Sequence, residues 1–150
     1  MCTTHRALPA HAANYFGPVV GGLVFVLLMS LLKEPTRRNF NAIFAGGAMG
    51  AYISGGLGLW ELPFAAVGSV VAYQGLRSHR FIGLAWLMHS AWDLVHHFFG
   101  KPIWPLMETS SFGCCIFDAV IAAWFIAGAP SAIAVTLARL APLAAASRRR

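Results

Sequence analysis

The chain has 150 residues, of which 58% are hydrophobic and 11% charged, against the roughly 25% charge usual in soluble domains; its mean hydropathy is +0.66. That balance points away from a soluble domain, and at about 20 apolar residues per span, five spans leave no room for a large extramembrane domain. The net charge of +6 sits at the ends of apolar runs and not in a basic module, which argues against nucleic acid and for the lipid bilayer as partner.

Residues 1–14 are polar and mixed and include His5 and His11. The run 15–32 is apolar until Lys33-Glu34-Pro35-Thr36-Arg37-Arg38 stops it. Without a small-residue cleavage site it reads as a retained first span and not a secretory signal. In the second span, 39–58, Gly46, Gly50, Ser54 and Gly58 recur at every fourth position. That face suits close helix approach, either inside the chain or between copies in a homo-oligomer.

Leu59-Trp60-Glu61-Leu62-Pro63 predicts a tight turn into a third span, 62–76, with Pro63 tolerated in its first turn. The basic link Arg77-Ser78-His79-Arg80 precedes a fourth span, 81–99. A loop at 100–110 carries Pro102, Trp104 and Pro105, an aromatic setting suited to headgroup level. The fifth span, 112–130, is kinked or ended by Pro130, and the tail 131–150, with Arg139, Pro142 and Arg148 to Arg150, holds no sixth full span. Cys2, Cys114 and Cys115 form no disulfide framework.

With the N-terminus outside, nine of the eleven Lys and Arg residues fall on the cytoplasmic side and only Arg6 and Lys101 fall outside, as the positive-inside bias requires. The expected fold is one all-α domain, a polytopic bundle of about five spans in the inner membrane, with the C-terminus cytoplasmic.

The chemistry concentrates in His89-Ser90-Ala91-Trp92-Asp93-Leu94-Val95-His96-His97. At about 100° per residue, Asp93, His96 and His97 fall within about 80° of His89, on one face. Ionisable groups are costly in a membrane helix and face its interior. On the fifth span Asp118 shares a face with Ser111, Cys114 and Cys115, and antiparallel travel puts Asp93 and Asp118 at one depth, roughly 9 Å below the outer boundary. Glu61 belongs to the same half.

Imidazole and carboxylate together suit zinc or another divalent transition metal, which keeps an open position for catalysis. The expected ligands are Asp93, His96 or His97, and Asp118, with His89 or Glu61 handling protons. The substrate would be an amphiphile from the outer leaflet. Two other readings use the same residues: a hydrogen-bonded network that locks the bundle, and a path for protons or metal ions.

Ser54-Gly55-Gly56-Leu57-Gly58 before Trp60-Glu61, Trp86-x-x-His89, Trp92-Asp93-x-x-His96-His97, Gly113-Cys114 before Asp118, and Ala127-Gly128-Ala129-Pro130 carry a likeness. Over residues 39–130 the chain resembles a family of small bacterial integral membrane proteins catalogued only as a domain of unknown function. That resemblance implies one multi-span domain and no particular activity. The ingredients are also similar to the zinc-dependent membrane hydrolases of the alkaline ceramidase and adiponectin receptor group, but His89-x-x-x-Asp93 stands where that group has His-x-x-x-His.

Overall fold

The computed structural model describes residues 6–53 and 55–133. Cys2, His5, Ser54, Arg139, Pro142 and Arg148 to Arg150 lie outside the described residues. Within them the fold is all-α: α1 (Ala13–Met29), α2 (Thr36–Ala48), α3 (Glu61–Gln74), α4 (His79–Phe99) and α5 (Ser110–Ile126), with a 3-10 turn at Gly58–Trp60. No described helix is long and apolar enough to cross a membrane. The most apolar, α1 and α5, have 17 residues each, about 25 Å of rise. The 21-residue α4 is interrupted by its histidines and Asp93.

Helix ends follow from backbone chemistry. α2 stops at Ala48 and does not run to 58, so the small-residue ladder does not form one helix face: Gly46 is helical, while Gly50 lies in a turn. The Ala48 carbonyl accepts from a side chain, His89 Nε2, at 2.9 Å, and Gly56 and Gly58 take φ of +103° and +64°, which favour glycine. α5 ends at Ile126 in a Schellman motif: Gly128 N–H donates to the Phe125 carbonyl and Ala129 N–H to the Trp124 carbonyl, both at 2.9 Å, with Gly128 at φ +90°. Pro130 follows, where it cannot continue the helix.

The helices alternate in direction around the α4–α5 pair, which packs most extensively. Gly83 of α4 lies against Ala122 and Ile126, and Ser90 Oγ donates to the Cys115 carbonyl at 2.8 Å, so α4 and α5 are antiparallel. Gly22 of α1 sits on Val120 and Phe117, and Tyr15 on Phe112, so α1 runs parallel to α5. α2 runs beside α4, with Phe44 against Trp86, and turns back into α3, where Gly68 admits Met49.

The interior divides by chemistry. Ala42, Ala45, Ala72, Ile82, Ile121 and Phe125 form an apolar core at one end. At the other end Glu61, His89, Asp93, His96, His97, Ser111 and Asp118 are buried together. The outer surface is apolar: Phe16, Ile43 and Leu59 are 71%, 70% and 82% exposed.

At the apolar-core end Glu34 joins two links. Its Oε1 accepts from Arg37 Nε at 2.8 Å and from His79 Nε2 at 2.9 Å. Partial burial raises its pKa, but these donors outweigh burial and hold the carboxyl below its ordinary 4.5. A lowered folded pKa gives stability that is complete above the unfolded value and lost as pH falls through the folded one. The melting difference between wild type and Glu34→Gln is therefore expected to be constant above about pH 5 and to shrink below about pH 4. Thermal melts across that window check it; an undiminished difference in acid would contradict it.

Candidate metal centre

The site is built where three elements meet. α4 presents His89 and Asp93 one turn apart, and α5 brings Asp118 against them because small contacts at Gly83 and Ser90 let the two helices approach closely. His89 Nδ1 lies 2.7 Å from Asp118 Oδ2 and 3.4 Å from Asp93 Oδ2. Its other nitrogen meets the Ala48 carbonyl, which can only accept, so Nε2 carries a hydrogen. Nδ1 is thus the nitrogen directed at both carboxylates.

Tyr52 completes the surroundings. Its hydroxyl lies 2.6 Å from Asp93 Oδ1 and 2.9 Å from Ser111 Oγ, and Ser111 Oγ in turn accepts from Ile103 N–H at 3.1 Å. A hydroxyl has one hydrogen, and a carboxylate only accepts. The chain is therefore ordered: Ile103 N–H to Ser111, Ser111 O–H to Tyr52, Tyr52 O–H to Asp93. Asp93 is 0% exposed, yet its second oxygen, Oδ2, accepts no hydrogen bond. Ligand atoms of His89, Asp93 and Asp118 all lie within 4.8 Å of one another.

A second cluster flanks this one. Glu61 accepts from Trp92 Nε1 at 3.1 Å and Leu57 N–H at 3.2 Å, and its carboxylate lies 3.2 Å from His96 Nε2. The His96 ring stacks on Tyr52 with centroids 3.8 Å apart. Gly55 and Gly100 leave room for that ring: a Cβ on Gly55 would stand 2.7 Å from His96 Cε1, and one on Gly100 would also collide with it. His97 points the other way, with Nε2 3.2 Å from the Ala7 carbonyl, while Arg6 Nη1 donates to the His97 and Gly100 carbonyls at 3.3 Å.

The sequence reading grouped Asp93, His96, His97 and Asp118 as ligands and set His89 and Glu61 aside for proton transfer. The structure brings Asp93 and Asp118 together with His89, pairs His96 with Glu61, and turns His97 to the N-terminal segment. Sequence reasoning missed Tyr52 and the Ala48 carbonyl. The available signal for Tyr52 was that it is the one tyrosine in the glycine-rich run 39–58.

A cavity of about 470 Å³ opens between α1 and α5, walled by Pro18, Trp104, Met107 and Phe117 and floored by Gly113 and Cys114. Cys114 lies one helical turn before Asp118, while His89, Asp93 and Asp118 themselves do not line this largely apolar space. A family model described as a family of unknown function (DUF6010) matches residues 13–131, a stretch that holds all five helices. No curated protein and no solved structure matches the chain.

Proposed function

The chain belongs to this family of unknown function, and we propose that it is a multi-pass protein of the inner membrane whose buried His89, Asp93 and Asp118 hold a divalent transition metal. The observation that carries the metal reading is Asp93 Oδ2, a fully buried carboxylate oxygen whose nearest donor, His89 Nδ1 at 3.4 Å, is already bonded to the Asp118 carboxylate at 2.7 Å. A purely structural network would be expected to satisfy that oxygen, because an unmet buried acceptor costs about 1–3 kcal/mol.

Charge supports the same reading. Two carboxylates and an imidazolium leave a buried excess of one negative charge. A divalent ion with neutral His89 and both aspartates sums to zero, which removes that penalty. Two further contacts support it: a metal-ligating histidine usually gives its far N–H to a carbonyl, as His89 does to Ala48, and a ligating carboxylate takes a hydrogen bond, as Asp93 does from Tyr52.

Inverted polarity supports the membrane reading, with ionisable side chains inside and large apolar ones outside. Helices shorter than the hydrocarbon thickness are accommodated by local thinning of the bilayer. The basic links put the chain's N-terminus outside and its C-terminus in the cytoplasm.

Three protein ligands and an open position suit water activation, with zinc as one fitting ion. The cavity between α1 and α5 suits the chain of an amphiphilic substrate, and the buried Glu61–His96 pair is the group to carry protons. Ion passage is the weaker reading, since the other half of the interior is apolar.

Elemental analysis of the detergent-purified protein tests this reading. Near-stoichiometric transition metal is expected in wild type and in His96→Ala, and none in His89→Ala. Metal-free wild type, or loss only in His96→Ala, would overturn the ligand set.

A further inference from the structure

The end of the bundle opposite the candidate centre carries two basic junctions, α1–α2 and α3–α4, and Glu34 holds them side by side by binding Arg37 at the start of α2 and His79 at the start of α4. Arg37 is engaged: it is 7% exposed, pairs with Glu34 at 2.8 Å and lies 5.8 Å from the Trp124 ring centroid. Lys33, Arg38, Arg77 and Arg80 are not. Among the described residues none of these four has a carboxylate within ion-pair distance, since the one acidic group at this end already serves Arg37 and His79. Lys33, Arg77 and Arg80 are exposed, and the buried Nε of Arg38 has no acceptor.

These cations border a fringe of exposed apolar side chains, with Leu31 at 65%, Tyr73 at 61%, Phe40 at 47% and Phe81 at 42%. Cations over aromatic and aliphatic side chains fit the boundary between lipid headgroups and acyl chains, where anionic lipid attracts each Lys or Arg by about 1 kcal/mol.

We propose that this end binds the headgroups of anionic phospholipids, with Arg77 and Arg80 at the α3–α4 junction and Lys33 and Arg38 at the α1–α2 junction closing on the phosphate. The inference rests on the membrane reading above and is independent of the metal. Free phosphate offers the same charge, but the apolar fringe has a use only for a lipid.

The test uses the full chain in neutral detergent micelles, titrated with phosphatidylglycerol or phosphatidylcholine and read by thermal stabilisation, alongside flotation with vesicles of either lipid. Phosphatidylglycerol is expected to bind more tightly, and the Arg77→Gln/Arg80→Gln variant to weaken that binding roughly 30-fold with phosphatidylcholine unchanged. Equal affinity for the two lipids, an unaltered preference in the variant, or displacement of phosphatidylglycerol by equimolar inorganic phosphate would overturn the assignment. Flotation without a lipid preference defeats this inference alone; failure to float with either vesicle defeats the membrane reading as well.

Discussion

In the metal-loaded protein Asp93→Ala is expected to be the most damaging single substitution in the interior, costing about 3–5 kcal/mol, because it leaves one charge of the ion uncompensated in a buried site. The side chain is 0% exposed, takes the Tyr52 hydroxyl at 2.6 Å and faces His89 Nδ1. Its removal strands both partners and leaves a cavity where water is excluded. Tyr52→Phe deletes only one donor to a charged acceptor and is expected to cost about 1.5–3 kcal/mol. Because the two residues share one hydrogen bond, the double variant should lose less than the sum of the single losses. Unfolding midpoints in denaturant check all three, and a loss below about 1 kcal/mol for Asp93→Ala would show that the centre contributes little to folding.

Gly83→Val is the second large effect, and it acts on the site from a distance. A Cβ at this position would stand 2.7 Å from Ile126 Cγ1, 2.8 Å from Ile126 N and 2.9 Å from the Ala122 carbonyl oxygen. Two of those neighbours are backbone atoms and cannot rotate away, so α4 and α5 must separate. Overpacking of this kind costs about 1–3 kcal/mol. His89 and Asp93 ride on α4 and Asp118 on α5, so the variant is expected to lose metal affinity although Gly83 touches none of the three. Gly113→Ala is the control: its Cβ would meet Pro18 Cγ at an ordinary 3.5 Å. Metal titration and melting of the two variants decide the matter, and a Gly83→Val protein with wild-type affinity would contradict this transmission.

Much of α4 was legible from spacing alone. His89, Asp93, His96 and His97 share a face by helical arithmetic, and all four are buried. Antiparallel travel of α4 and α5 sets Asp118 at the level of Asp93, and both carboxylates reach His89 Nδ1. Tyr52 and the approach of His89 to both aspartates were not legible, and the reason is nonlocal. α2 stops at Ala48, whose carbonyl meets His89 from 41 residues away, and Tyr52, in the turn beyond it, reaches Asp93.

Glu61 had the same character: a first-turn acidic residue reads as a dipole partner, while its burial against His96 depends on how α3 packs on α4. Side chains on one helix can be sorted by period. Which carboxylate His89 and His96 each meet from another helix depends on interhelical offsets of one turn, about 5.4 Å, and composition does not encode those.

The most direct test is X-ray absorption at the edge of the metal in the purified, metal-loaded protein. One imidazole with carboxylate and water oxygens at about 2.0–2.2 Å is expected, matching His89, Asp93 and Asp118. Two imidazoles would move the ion to His96 or His97, a sulfur shell near 2.3 Å would bring in Cys114, and a protein that takes up no metal at all would contradict the centre outright.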